Sequence, residues 1–270
     1  MCIILRISSI GAGNMATAII KAAISSGRIK PENMTVFDIN KDKYKTFESI
    51  SVNCADNIAQ ACDASEIILL AVKPQDYENV LNQIKPYVAE KKKVFISIAA
   101  AISTDYICKT LEADFPVVRV MPNTPLLIGE GATAISRNRF VDDRIYTKIC
   151  GLFAASGSVA SIDESQMNAV ISVNSSSPAY IYLFAKAMID NAVNQGIEQA
   201  LAKDLVYKTI KGSAEMMINT DLSPDELIKM VASPKGTTEA ALKSFEKDDF
   251  CKIISSAMDA CTSRAEEIAR

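Results

Sequence analysis

The sequence predicts an α/β chain: a doubly wound parallel sheet over residues 1–162, followed by an all-helical dimerisation half over 163–270. Three observations carry that reading. Short β-branched runs alternate with helix-length amphipathic stretches through the first half, the order expected of parallel strands joined by crossover helices. Runs such as Ile67-Ile68-Leu69-Leu70-Ala71-Val72 are apolar at every position, as a strand covered on both faces must be. After Asp163 the strand-like runs stop and helical periodicity takes over.

Taken in order, the strand candidates are 3–10, 34–38, 66–72, 93–99 and 117–121, with helices near 14–27, 41–49, 57–63, 76–88 and 103–111 between them. Two more strand candidates, 131–136 and 158–161, flank a helix near 141–153. Ser177 reads as an N-cap and Pro178 as the opening residue of a long helix over 178–196. A second helix follows near 200–219. Ser223 with Glu226 three residues on is a capping box that opens a third, and helices over 237–247 and 249–268 complete this half. These helices carry Ile181, Leu183, Phe184, Leu201, Leu205, Ile210 and Met217, more apolar surface than a lone subunit hides, so a second copy of the chain is the expected cover.

Composition narrows the chemistry. The chain has 270 residues, 49% of them hydrophobic and 23% charged, with 29 Lys+Arg against 32 Asp+Glu. A net charge of −3 gives no electrostatic footprint for nucleic acid or an anionic membrane. There is no histidine, which removes Ser-His-Asp triads, His-containing zinc sites and imidazole acid–base catalysis. The seven cysteines, Cys2, Cys54, Cys62, Cys108, Cys150, Cys251 and Cys261, are odd in number and form no CxxC pair, so they read as reduced thiols of a cytoplasmic protein. The apolar N-terminus is interrupted by Arg6 and lacks a cleavage pattern, and no stretch is long enough to span a bilayer.

Ile10-Gly11-Ala12-Gly13-Asn14-Met15-Ala16 stands between the first strand and the first helix and has the G-x-G-x-x-A form of a dinucleotide fingerprint. Gly11 suits the tight turn, Gly13 allows close approach of a pyrophosphate, and Ala16 allows the helix to pack near the strand. Asn14 and Met15 open the helix whose N-terminus faces the phosphates. The half is therefore a Rossmann-type sheet, and the cofactor is NADH or NADPH. Asp38, at the end of the second strand, suits the ribose hydroxyls of NADH; Lys41 and Lys43 just beyond suit the extra phosphate of NADPH. The alternative for Asp38 is a turn or helix-capping residue.

Two loops follow strands at their carboxyl ends: Lys73-Pro74-Gln75 and Met121-Pro122-Asn123-Thr124-Pro125. Such loops border the ligand crevice of an open α/β sheet, although each also reads as a plain turn. Val231-Ala232-Ser233-Pro234-Lys235-Gly236-Thr237-Thr238 leaves one helix and opens another. Its hydroxyls and N–H groups suit a carboxylate at a helix N-terminus; the alternative is a helix connection with threonine capping.

The residues resemble pyrroline-5-carboxylate reductase along nearly the whole chain. The matching segments are IGAGNMA at 10–16, LAVKPQ at 70–75, VRVMPNTP at 118–125, GEGATAI at 129–135, SPAY at 177–180 and VASPKGTTEAAL at 231–242. The resemblance implies reduction of the cyclic imine L-1-pyrroline-5-carboxylate to L-proline, the final step of proline biosynthesis. It places the substrate carboxylate on Ser233, Gly236 and Thr237, and the Thr238 hydroxyl at the ring nitrogen. It places the cofactor against Lys73, Pro74, Met121, Pro122 and Asn123, with Asn57 near its ribose. It also implies a homodimer of interlocked helical domains and rings of such dimers. An imine reductase needs no histidine, because an iminium arrives already protonated.

The pattern is not followed everywhere. Ser175 and Ser177 stand where the family usually has glycine, as do Ala101 and Lys235. A non-catalytic dinucleotide-binding sensor derived from the reductase, or a reductase of a related cyclic imine, is the alternative that such changes leave open. A β-hydroxyacid dehydrogenase is a weaker rival, since 163–180 holds no lysine where that family keeps its catalytic one.

Overall fold

The structure, a computed structural model, describes residues 5–89 and 92–269. Cys2 and the first two positions of the strand expected over 3–10 lie outside the described residues. Eight strands form one sheet: β1 (Ile7–Ile10), β2 (Met34–Phe37), β3 (Asn53–Cys54), β4 (Ile67–Leu70), β5 (Val94–Ser97), β6 (Val117–Met121), β7 (Gly131–Arg137) and β8 (Gly157–Ser161). Their order is β3-β2-β1-β4-β5-β6-β7-β8. The chain thus runs outward in one direction from β1, then returns to start the other half at β4. That reversal opens a crevice at the carboxyl ends of β1 and β4, where open α/β sheets bind ligands.

Helices cover the sheet: α1 (Asn14–Ser25), α2 (Tyr44–Glu48), α3 (Ile58–Asp63), α4 (Tyr77–Val88), α5 (Thr104–Leu111) and α6 (Asp143–Ala154). The pleat of β4 shows why its residues are all apolar. Ile67 and Leu69 join the cluster that holds Ile19 and Ile20 of α1 and Phe153 of α6. Ile68 and Leu70 join the cluster of the opposite face, with Cys62 of α3, Leu81 and Ile84 of α4 and Ile107 of α5. Each such fully buried side chain contributes about 1.5–3 kcal/mol of transfer free energy, before entropy is set against it.

Local chemistry sets the helix entries. Ser103 caps α5 through its hydroxyl, which accepts from Tyr106 N at 3.0 Å. Asp142 caps α6, accepting from Ile145 N at 2.8 Å. Three features differ from the sequence reading. The pair Asn53–Cys54 is a two-residue edge strand, too short to carry a periodic signal. β7 runs antiparallel to β6, so the sheet is mixed beyond Met121. The helix expected over 41–49 begins as a 3₁₀ turn, Lys41–Lys43, capped by Asn40, whose side chain accepts from Asp42 N.

The chain forms two compact units, one reaching to Ser176 and including Cys261–Arg270, the other Ser177–Ala260. The second unit is helical, with α7 (Ser177–Asn194), α8 (Gln199–Asn219), α9 (Pro224–Val231), α10 (Thr237–Lys247) and the first part of α11 (Phe250–Glu267). Its buried cluster consists of Ala185, Ile189, Ala202 and Val206 from α7 and α8. The capping box at Ser223 and Glu226 is present and opens α9 as expected. Helix α7 begins at Ser177 itself. The chain enters α7 from a π-helical turn, Ile171–Ser175, with Ser176 already at φ −93° and ψ −28°. Among the described residues, no helix is long and apolar enough to cross a membrane.

Candidate active site

The glycine loop is built by the sheet edge it leaves. Gly11 N donates to Phe37 O at 2.8 Å, and Ala71 N donates to Ile10 O at 2.9 Å, so β2 and β4 hold the turn from both sides. Gly11 has φ +105°, and a Cβ there would stand 2.5 Å from Ala71 O. Only glycine meets both conditions. Gly13 is the N-cap of α1 at φ −75° and ψ 177°, and a Cβ there would meet nothing within 4 Å. The first helical bond runs from Thr17 N to Gly13 O. The N–H groups of Asn14, Met15 and Ala16 therefore emerge from the helix end, with no acidic side chain in the first turn to compete for them. These residues fit a dinucleotide: the space over Gly13 and the positive end of α1 suit a pyrophosphate.

Asp38 lies beside this loop, nearly buried. Its Oδ2 accepts from Ala12 N and from Lys43 Nζ, both at 2.8 Å, and its Oδ1 accepts from Asn40 N at 2.8 Å. Burial pushes the carboxyl up, but the bonds from Lys43, Asn40 and Ala12 and the charge of Lys43 outweigh it and hold the group below its ordinary value. Asp38 is thus the tie between the glycine loop and the end of β2, and the next turn is capped by Asn40 instead. Lys41 is engaged elsewhere: its Nζ donates to Tyr44 Oη at 2.8 Å and to the carbonyls of Ala55 and Asp56 at 3.0 Å. Lys43 alone of the two lysines stands against the Asp38 carboxylate.

The other residues expected on the cofactor side lie on the same unit. Asn57 is the N-cap of α3, its side chain accepting from Gln60 N at 2.9 Å. Lys73, three residues beyond the end of β4, precedes the 3₁₀ turn Pro74–Asp76, and its carbonyl accepts from Asp76 N. Met121 ends β6, and Pro122 and Asn123 follow it, all three buried. Asn123 Oδ1 accepts from Ala132 N at 2.9 Å, which closes the neck of the loop onto β7. Gly11, Gly13, Lys73, Pro74, Met121 and Pro122 therefore all lie at or just beyond the carboxyl ends of β1, β4 and β6.

In the helical unit, Ser233, Gly236, Thr237 and Thr238 form the entrance to α10. Gly236 is the N-cap at φ −83° and ψ 173°, and no side chain caps the helix, so threonine capping is not its design. Gly236 N donates to Ser233 O at 3.0 Å, and α10's first bond runs from Ala240 N to Gly236 O at 3.2 Å. The N–H groups of Thr237, Thr238 and Glu239 emerge at the helix end. A Cβ on Gly236 would stand 2.5 Å from Ser233 Oγ, so the hydroxyl sits directly over the cap. Lys235 N donates to the Glu239 carboxylate, and Lys243 pairs with it at 2.7 Å. Those partners, Lys243 first, hold Glu239 below its ordinary value.

The departures from the family pattern divide into two kinds. Neither Ser175 nor Ser177 has a positive φ, so a side chain fits there without backbone strain. Ala101 and Lys235 do, at φ +64° and +61°. Sequence reasoning singled out Ser175 only as a lost glycine and missed Asn174 altogether, since neither carries a motif. In the structure Asn174 Nδ2 donates to Met121 O at 2.8 Å and to Ala132 O at 2.9 Å, and Ser175 Oγ donates to Pro122 O at 2.7 Å.

Comparison with known proteins places this geometry. Residues 164–268 match the family profile for pyrroline-5-carboxylate reductase dimerisation, and residues 6–101 match that for NADP oxidoreductase, coenzyme F420-dependent. The pyrroline-5-carboxylate reductase of Corynebacterium melassecola is 34% identical over 268 residues, with 98% of each chain covered. A solved pyrroline-5-carboxylate reductase from Coxiella burnetii superposes with a TM-score of 0.91 at 32% identity, over 99% of each chain. A pyrroline carboxylate reductase from Plasmodium falciparum, solved with NADP bound, superposes at 0.90 with 30% identity, over 98% of each. The chain belongs to the pyrroline-5-carboxylate reductase family.

Proposed function

We propose that the chain reduces L-1-pyrroline-5-carboxylate to L-proline at the expense of NADH or NADPH, as the final step of proline biosynthesis in the cytoplasm. The observation that carries this reading is a pair of helix entrances within a full-length family likeness. Those of α1 and α10 each have an extended glycine as N-cap and no side-chain cap, so both present N–H groups to an anion. One suits a pyrophosphate and the other a carboxylate.

The bound dinucleotide supplies a hydride to the imine carbon. In this reading the nicotinamide end is bordered by Lys73, Pro74, Met121, Pro122 and Asn123, the phosphates by Gly11, Gly13, Asn14 and Met15, and the ribose end by Asp38 and Asn57. Asp38 offers an acceptor and Lys43 a cation at one spot, which supports use of both dinucleotides. Ser233, Gly236 and Thr237 hold the substrate carboxylate. Thr238 orients the ring nitrogen through its hydroxyl. With that hydride on carbon the C=N bond would become CH–NH, and the proton already on the iminium would stay on the nitrogen that Thr238 orients. Accurate placement is the main contribution of these residues.

Residues 1–162 would form the dinucleotide domain and 163–270 the helical dimerisation and substrate domain. Ile181, Tyr182 and Leu183 on α7, Ile218 on α8, and Met230 and Val231 on α9 are exposed in the single chain, which supports a homodimer, and dimers further assembled into a ring. The test is oxidation of NADH and of NADPH with and without pyrroline-5-carboxylate. Substrate-dependent oxidation with proline as product supports the reading. Dinucleotide binding without turnover would instead make the protein a sensor, and turnover only with other cyclic imines would reassign its substrate.

A further inference from the structure

The geometry points to Asn174 and Ser175 as positioning residues for the nicotinamide-side loop, an inference that rests on the reductase reading above. Loop 122–130 leaves β6 at Met121 and returns into β7 at Gly131. Its neck is closed by side chains. Asn123 Oδ1 takes the N–H of Ala132, and Asn174 Nδ2 bridges the carbonyls of Met121 and Ala132 across the two strands. Ser175 Oγ takes the next carbonyl, that of Pro122. Consecutive side chains thus hold consecutive carbonyls of the segment assigned to the cofactor.

The π-helical turn makes this possible. On an α-helix neighbouring residues point about 100° apart, so two in a row cannot easily serve one strand end. The wider turn over Ile171–Ser175 brings them closer to one face, and such turns recur at functional sites. The turn is itself supported. Thr262 Oγ1 donates to Ser172 Oγ at 3.4 Å, and Cys261 Sγ donates to Ser176 Oγ at 3.3 Å, both from the last part of α11. Behind it, Arg119 on β6 is buried and donates to Asn168 Oδ1 at 2.6 Å. Asn174 is also buried, and its Oδ1 has no hydrogen-bond partner, so the side chain is held by its donor alone. A buried amide in that condition is costly unless its donor bonds matter.

If the two side chains set the loop, removing them should loosen dinucleotide binding more than imine binding. Asn174→Leu keeps the volume and removes the donor. It is expected to raise the dinucleotide Kd, read by quenching of NADPH fluorescence, about tenfold, while the KM for the imine moves less than about twofold. Ser175→Ala should raise the same Kd about threefold, and Ser175→Thr, which keeps a hydroxyl, should restore it. A purely structural role predicts lower melting temperatures with unchanged Kd. Unchanged Kd in Asn174→Leu, or in Ser175→Ala when the Asn174 variant does not fold, would overturn the inference. So would equal loss in Ser175→Ala and Ser175→Thr. The reductase reading is judged separately, by turnover of the imine in the unaltered protein, while these variants are judged by dinucleotide binding alone.

Discussion

The entrances to α1 and α10 have nearly the same backbone and quite different surroundings. Gly13 and Gly236 are both extended N-caps, within about ten degrees of one another in each torsion. Each follows a residue with positive φ, Gly11 two positions earlier and Lys235 one position earlier. At α1 the turn is pressed between β2 and β4, so the obstacle to a side chain on Gly11 is backbone. At α10 the turn lies at the surface, and the nearest obstacle on Gly236 is the hydroxyl of Ser233, at 2.5 Å, with the Ser233 carbonyl behind it at 3.0 Å. The anion-binding device proposed for both entrances is therefore hemmed by strand backbone where the sheet builds it and first by a side-chain hydroxyl where two helices do. On the proposed assignment, the dinucleotide phosphates would meet the first and the substrate carboxylate the second.

Gly11→Ala should break the first entrance. The new Cβ would meet Ala71 O at 2.5 Å in a backbone region that alanine disfavours. Neither strand can retreat without disturbing a core that is buried on both faces. The expected result is at least about a hundredfold loss of dinucleotide affinity, roughly 3 kcal/mol, with a fall in melting temperature. Isothermal titration with NADPH checks it. Affinity within a few fold of the unaltered protein would mean that the loop is looser than the structure shows.

At the second entrance the effects should be smaller and should divide between binding and turnover. Thr238→Ala removes the hydroxyl assigned to the ring nitrogen, and kcat should fall about tenfold, about 1.4 kcal/mol of barrier, with the fold intact by circular dichroism. Gly236→Ala displaces Ser233 Oγ. It should raise the KM for the imine about fivefold, with kcat changed less and dinucleotide affinity unchanged. Equal effects of Gly236→Ala on both ligands would contradict the separation of the two sites. Unchanged kcat in Thr238→Ala would remove Thr238 from its assigned role.

The same contrast explains what was legible in the sequence. β4 was readable because both faces of the sheet demand apolar residues, and the glycine turn was readable because Gly11 has no substitute there. The capping box at Ser223 was readable because it is local. β3 was not, since two residues paired along Thr35 and Val36 have no period of their own. The π-helical turn before Ser177 was not readable either, because it depends on tertiary bonds from Asn174 and Ser175 that leave no pattern. Most of the candidate site came from motifs matched to a family, whereas the tie between Asp38 and Ala12 and the clamp on Met121 and Pro122 required coordinates. They join positions far apart in the chain, and a single sequence does not record which carbonyl a side chain will meet.

The smallest expected effect tests the strain at the second entrance itself. Lys235 at φ +61° carries a left-handed backbone that costs a non-glycine residue about 1–2 kcal/mol. Lys235→Gly relieves that cost but frees the unfolded chain by about 0.4–1 kcal/mol, so a net gain of about 0.5 kcal/mol remains. Its N–H bond to Glu239 is made by backbone and survives the change. Ala101 provides the control. It has a similar φ of +64° but is 1% exposed, so Ala101→Gly also deletes a buried methyl group. That loss is worth about 0.8 kcal/mol, which more than offsets a net gain of about 0.5 kcal/mol. Denaturant unfolding should therefore rank Lys235→Gly above Ala101→Gly in stability. The reverse order would show that the α10 entrance is held by more than the contacts of a single chain, as it would be if a partner subunit packed against it.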